Sequence, residues 1–218
     1  MTADAAADDD AGNRLPQALL QAVGSRGQVR SFPAHAILIN EGDSTDSLYI
    51  VLAGRVKAYA SSEDGREVVL AEYGPGEYFG ELALDGSQRS ASIQAIEPCS
   101  CRVVQAQELQ AFLAEYPAFG AHLTRKLMHM VRRLTRQVRS LALQDVYSRV
   151  VHLLSELSDP AGGTERVVRH RLTQQDIADR VGSSREMVNR VMKELAAGGY
   201  IARREGRIVL LRKPPAAW

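Results

Sequence analysis

The run Gly76-Glu77-Tyr78-Phe79-Gly80-Glu81-Leu82-Ala83-Leu84 is followed directly by Asp85-Gly86-Ser87-Gln88-Arg89-Ser90-Ala91-Ser92-Ile93. Arg89 offers a permanent cation with planar donors. Ser90 adds a hydroxyl, and a short helical turn starting at Gly80 adds backbone N–H groups. Together these are the donors that a buried phosphate requires. Glu81 is an acceptor that could take the 2′-hydroxyl of a ribose. A Glu and an Arg eight residues apart could equally form a surface ion pair, but the glycines around them argue for a built loop.

A second group lies near the C-terminus. Thr173 stands three residues before Asp176, a capping box that opens a helix carrying Ile177, Ala178 and Val181 inward and stopped by Gly182. Ser183 stands three before Glu186, which reads as a second capping box. The helix it opens has Val188, Val191, Met192 and Leu195 inward, and Gly198-Gly199 closes it. Two capped helices joined at one glycine make a helix-turn-helix. On the second helix Arg185, Glu186, Asn189 and Arg190 share the outer face of the half that enters a major groove. Arg suits the two acceptors of guanine and Glu the amino group of cytosine. Beyond it, Tyr200 to Leu211 reads as strand, basic turn and strand, a wing whose Arg203, Arg204 and Arg207 are placed to hold phosphates. Any one of these arginines alone would be a solvated charge; together they point to DNA.

These groups need elements to position them. Between Val29 and Val104 short β-rich runs recur at Ile37–Ile39, Leu48–Leu52, Arg55–Tyr59, Val68–Tyr73, Ser90–Ala95 and Ser100–Val104. Gly, Asp, Asn and Pro separate them, and Asp64-Gly65 is a hairpin signal. That rhythm predicts an antiparallel roll or barrel. Leu15 to Val23 has helical spacing, as does Ala106 to Glu115. One long helix, residues 116–145, then joins sensor to reader. Its Leu123, Leu127, Met130, Leu134, Gln137 and Leu141 alternate steps of four and three, the seam of a coiled coil, which predicts a homodimer. The bland alternative is an amphipathic helix packed on its own domain. Val146 to Leu157 is again helical, Asp159-Pro160-Ala161-Gly162-Gly163 reads as its end, and Val167–Leu172 as a short strand.

The 218 residues, 45% hydrophobic, suffice for one or two cores. Absence of a long apolar run or signal-peptide pattern predicts a cytoplasmic protein without membrane contact. Cys99 and Cys101 would share one face of a strand, poor geometry for a bridge and too few ligands for an iron–sulfur cluster, so they are expected to be reduced filler. The net charge of +1 hides a split. Residues 1–116 hold 8 basic and 17 acidic side chains, 117–145 hold 6 and 1, and 146–218 hold 13 and 8. A basic C-terminal half suggests a polyanion partner. The first thirteen residues, with four aspartates, read as a disordered tail. No nucleophile–base pairing, Walker loop or metal-ligand spacing points to an enzyme or a metal site.

The string F-G-E-L-A-L followed by R-S-A-S-I resembles the phosphate cassette of cyclic-nucleotide-binding domains, and Glu41 to Lys57 resembles the strands that precede it. Over roughly residues 15 to 212 the order of β-roll, dimer helix and winged helix-turn-helix resembles the CRP/FNR family of bacterial transcription regulators. The resemblance implies an α+β chain: an acidic tail (1–14), an antiparallel β-roll binding a cyclic nucleotide (15–115), a dimerisation helix (116–145) and a winged helix-turn-helix (146–218). It implies that Glu81 accepts from ribose, that Arg89 pairs with phosphate, and that Gly80, Leu82, Ser90 and Ala91 line the pocket. Thr173 to Leu195 is particularly similar to the branch that senses cyclic AMP, whose base-reading Arg, Glu and Arg match Arg185, Glu186 and Arg190. Thr173, Gln174 and Ser184 complete the expected contact set with double-stranded DNA, at two-fold sites with GTG-like half-sites.

An activator of this kind would also meet RNA polymerase. Cyclic-AMP members place two adjacent hydroxyl residues against adenine, where an ungapped register puts Leu134 and Thr135. One hydroxyl is lost, and Arg132, Arg136 and Arg139 leave room for cyclic di-GMP. Cyclic AMP is the first expectation. Haem sensing, through His35, His122, His129, His152 or His170, stays open, as does a nucleotide-binding module that contacts protein instead of DNA.

Overall fold

The computed structural model describes residues 13–63 and 65–215, apart from the side chain of Ala83. Most of the acidic tail and Asp64 of the expected hairpin turn lie outside the described residues. The chain forms two compact units, one from residues up to 60 together with 69–134, the other from 61–68 together with residues from 135 onward.

The first unit begins with α1 (Gln17–Val23) and β1 (Gln28–Phe32), followed by β2 (Ile37–Ile39), β3 (Leu48–Ala53), β4 (Val56–Ser61), β5 (Glu67–Tyr73) and β6 (Tyr78–Phe79). A 3₁₀ turn (Glu81–Asp85), β7 (Ser92–Ala95), β8 (Cys99–Val104), α2 (Ala106–Glu115) and the long α3 (Pro117–Leu143), which leaves this unit after residue 134, follow. The strands make two four-stranded sheets, ordered β1-β8-β3-β6 and β2-β7-β4-β5. In β5 the alternation is plain: Val69, Ala71 and Tyr73 are buried and the residues between them less so.

The uninterrupted apolar run Leu48 to Val51 is explained by burial on both faces of β3. Tyr49 and Val51 join Val56, Ala71, Phe79, Ile93 and Cys101 between the sheets. Leu48 and Ile50 join Leu15, Leu19 and Val23, Tyr78, Leu109, Phe112 and Phe119 beneath the helices. Cys99 and Cys101 are buried free thiols, and burial holds the Cys101 thiol up at about 12.

Two strands of this unit have no counterpart in the sequence reading. In β1 four of five side chains are exposed, so no alternation marks it; backbone pairing to β8, Gln28 opposite Val103 through Phe32 opposite Cys99, makes it a strand. The other, β6, is two residues long. The predicted strand from Ser90 begins at Ser92, because Ser90 and Ala91 belong to the loop that carries Arg89.

Pro117 opens α3, a position where its missing N–H costs nothing. The exposed stripe of α3 differs from the predicted seam. Leu123 packs into the core beneath the helices, and Met130 and Gln137 are half-buried. The exposed large apolar residues of α3 are Met128 at 53%, Val131 at 62%, Leu134 at 39%, Val138 at 66%, Leu141 at 47% and Leu143 at 78%. With half-buried Leu127, four of these, Val131, Leu134, Val138 and Leu141, step by four and three along one stripe, which takes in Val131 and Val138 where the sequence pattern took in Met130 and Gln137.

In the second unit α4 (Val146–Glu156) is capped by Asp145, whose carboxylate accepts from Ser148 N at 2.8 Å. The stretch read as a simple break is strand β9 (Ser158–Gly162), paired with β10 (Glu165–Val168), which is shorter and earlier than predicted. Pro160 is tolerated because β9 is the edge of the sheet β11-β12-β10-β9. Next come α5 (Gln174–Val181), α6 (Arg185–Ala197), β11 (Ile201–Arg204) and β12 (Arg207–Leu210). The Thr173–Asp176 capping box is present. The second one is not: Ser184, not Ser183, caps α6 and accepts from Met187 N at 3.2 Å. Ser183 is used one step earlier. Gly182 takes a left-handed conformation at φ 61°, and the Ser183 N–H returns to Ala178 O, ending α5. Val150, Leu154, Ile177, Val181, Val188, Val191, Leu195, Ile201 and Ile208 share one core.

Candidate functional site

Arg89 is 5% exposed, on a loop whose backbone is pinned at both ends: its N–H donates to Asp43 O and its carbonyl accepts from Gly42 N, both at 2.9 Å. Its guanidinium donates from Nε to Thr45 Oγ1 at 2.8 Å, from one terminal nitrogen to Gly80 O at 2.9 Å and from the other to Ser47 O at 2.8 Å. None of these acceptors carries charge. Burial accordingly pulls its pKa below the ordinary arginine value. The approach depends on Gly80, at φ 89°. A Cβ there would stand 2.8 Å from both the guanidinium and Ser47 O. Gly80 and Arg89 are thus brought together as expected, with Ser90 exposed and Ala91 half-buried beside them and Leu82 at 44% exposure on the 3₁₀ turn.

Glu81 has a partner that the sequence reading missed. Its Oε1 lies 3.0 Å from Nζ of Lys126 on α3, and both side chains are buried. Lys126 also donates to Tyr78 O, and its ammonium sits 3.7 Å from the centre of the Tyr78 ring. Desolvation lowers the Lys126 pKa, against the raising effect of Glu81. A signal was available: Phe119, His122 and Lys126, spaced three and four apart, are the buried positions of α3, so Lys126 occupies the inward stripe. His122 beside it is hydrogen-bonded through Nδ1 to Tyr78 Oη at 3.1 Å and through Nε2 to Arg14 O at 2.9 Å. It is therefore already engaged on both nitrogens, and burial pulls its pKa down. Leu134 and Thr135, expected against a base, stand exposed on α3. A cavity of about 430 Å³ lined by Gly27, Gln28, Arg30, Val103, Gln105 and Glu108 lies away from these residues, against β1 and β8.

In the second unit Arg185, Glu186 and Arg190 are exposed on the first half of α6, where the Ser184 cap ends and the helix begins. Arg190 Nε is 3.1 Å from Glu194 on the same helix. Asn189 is half-buried and accepts at Oδ1 from Gln174 Nε2 at 2.9 Å, which locks the start of α5 to α6. Thr173 is occupied in its cap with Asp176. On the wing Arg207 is exposed, Arg203 reaches Leu172 O at 3.4 Å, and Arg204 forms a two-pronged pair with Glu165 at 2.7 and 3.0 Å. Arg204 is thus the least available of the three for a phosphate.

Residues 29–116 match the cyclic nucleotide-binding domain and residues 148–215 the Crp-like helix-turn-helix domain. The CRP-like cAMP-activated global transcriptional regulator of Mycobacterium tuberculosis is 35% identical over 185 residues, covering 83% of this chain and 82% of that one. The chain belongs to the CRP/FNR family. The cAMP-activated global transcriptional regulator CRP of Pasteurella multocida is 31% identical over 78% of this chain and 84% of its own. Among solved structures, the c-di-GMP responsive global regulator CLP of Xanthomonas campestris is similar at a TM-score of 0.78 and 28% identity, covering 89% of this chain and 99% of that one. As a CRP/FNR member the chain is a DNA-binding transcription regulator carrying a cyclic nucleotide-binding domain, and the relatives it matches are regulators of transcription. No described helix is long and apolar enough to cross a membrane.

Proposed function

We propose that this CRP/FNR protein is a homodimeric regulator whose affinity for a palindromic promoter site with GTG-like half-sites is set by cyclic AMP. The observation that carries the ligand reading is Arg89, a buried cation whose three acceptors are all neutral oxygens, at the mouth of a loop matching the cyclic nucleotide-binding domain. An anionic phosphate brought to it gains a charge-assisted contact that the protein's own groups do not supply. The relatives in Mycobacterium tuberculosis and Pasteurella multocida, both cAMP-activated, favour cyclic AMP. The exposed stripe from Leu127 to Leu141 supports pairing of two α3 helices, and Arg185, Glu186 and Arg190 are exposed where base edges would be read.

A second reading has its own support. Arg132, Arg136 and Arg139 are exposed on α3, and the c-di-GMP responsive regulator from Xanthomonas campestris shares the fold at 28% identity. Calorimetry of the purified protein against cyclic AMP, cyclic GMP and cyclic di-GMP at one fixed salt concentration separates the two. Tightest binding of cyclic AMP is expected. Binding of cyclic di-GMP alone overturns the first reading in favour of the second.

A further inference from the structure

Glu81 and Lys126 face one another with side-chain exposures of 3% and 2%. Two charges taken out of water are retained at reasonable cost only when further hydrogen bonds satisfy the rest of each group. Lys126 has them, through Tyr78 O and the face of the Tyr78 ring. Glu81 does not. Its Oε1 is held by the ammonium at 3.0 Å, while Oε2, itself enclosed, has no hydrogen-bond partner among the described residues. An unpartnered, buried carboxylate oxygen is a strong acceptor, and its place in the chain says for what. Glu81 follows Gly80, whose carbonyl takes the Arg89 guanidinium at 2.9 Å. In a 3′,5′-cyclic nucleotide the phosphate and the 2′-hydroxyl hang from adjacent carbons of one ring, so their recognising groups must be neighbours too.

We infer that Lys126 is a positioning residue for ribose recognition: by holding Oε1 it fixes the Glu81 carboxylate so that Oε2 receives the 2′-hydroxyl of the bound nucleotide. This rests on the cyclic-nucleotide reading above. Oε2 is enclosed, so the groups that cover it must give way for the hydroxyl to arrive, and Lys126, in direct contact with Glu81, senses that arrival. Ribose recognition and the long helix are joined through one ammonium group.

The experiment compares cyclic AMP with 2′-deoxy cyclic AMP, by calorimetry, on the full chain. Wild type should prefer the ribose form by roughly 10- to 150-fold, the range for a hydrogen bond to a charged group. Lys126→Gln should reduce that preference to a few-fold while still binding both, and Lys126→Arg should restore most of it. A merely structural lysine would weaken both ligands alike and leave the ratio unchanged, which overturns the inference. Should Lys126→Gln fail to fold, wild type labelled at its lysine ε-carbons still decides, since the chain has only four lysines, Lys57, Lys126, Lys193 and Lys213. The Lys126 resonance should move with cyclic AMP far more than with the 2′-deoxy form, and equal shifts overturn the proposal. Wild type that binds neither ligand overturns the cyclic-nucleotide reading and this inference with it. Binding with an unaltered ratio in Lys126→Gln removes the inference alone.

Discussion

At the scale of single residues the first unit encloses a few charged side chains, Glu77, Glu81, Arg89 and Lys126. Arg89 is the one placed for a phosphate. Arg89→Leu removes the cation and leaves Gly80 O, Ser47 O and Thr45 Oγ1 without their donor. Losing a charge-assisted contact costs about 1.5–3 kcal/mol, a weakening of roughly 10- to 150-fold, which calorimetry with cyclic nucleotide should read directly. His122 gives a prediction about pH. Its folded-state pKa lies below the ordinary 6.5, mainly because it is buried, so between the folded and unfolded values the unfolded chain binds the extra proton. The His122 contribution to stability is then fully present above about 6.5 and is lost as pH falls from there toward the folded value. Denaturant midpoints measured from pH 7.5 down to 5.5 should fall more steeply in wild type than in His122→Gln; parallel curves would show that His122 does not titrate in this way.

At the scale of elements, α3 has two faces with different jobs. Phe119, His122 and Lys126 face the roll, and the stripe of Val131, Leu134, Val138 and Leu141 is left to solvent. Placing a charge in a seam between two helices costs more than a short apolar interface readily absorbs. Val131→Asp should therefore shift sedimentation from dimer to monomer. Met130→Asp, on the half-buried flank, should do so less. Equal effects would return the seam to the register read from sequence. Caps matter on the same scale: Thr173→Ala removes an acceptor for Asp176 N at 3.0 Å and should cost about 1 kcal/mol of stability in denaturant unfolding.

At the scale of the whole molecule the division of charge becomes a division of labour. Arg185, Glu186 and Arg190 are exposed on α6 and should read base edges, whereas Arg207 on the wing should supply charge. Arg185→Ala should lose about 1–3 kcal/mol on a GTG-containing palindrome and far less on a scrambled duplex. Arg207→Ala should weaken both alike and flatten the salt dependence by roughly one unit of slope. Equal losses on both duplexes for Arg185→Ala would remove its base-reading role. Arg204, already held by Glu165, should respond less than Arg207.

What the sequence determined by itself is whatever depends on local pattern. The β-rich runs, the helix from Ala106 to Glu115 and the Thr173–Asp176 cap were legible, because period, turn residues and capping spacing act within a few residues of one another, and the cassette from Gly80 to Arg89 was legible through its resemblance to cyclic nucleotide-binding domains. Tertiary structure decided what depends on partners far along the chain. Strand β1 exists through pairing with β8, over seventy residues on, and carries no alternation of its own because its side chains stay exposed. The exposed stripe of α3 takes in Val131 and Val138 and not Met130 and Gln137, because the roll covers Leu123 on the other side of the helix, and a heptad pattern alone does not say which side that is. The pairing of Glu81 with Lys126 is the clearest case: forty-five residues separate them, and only the packing of α3 against the cassette turn brings one buried carboxylate to one buried ammonium.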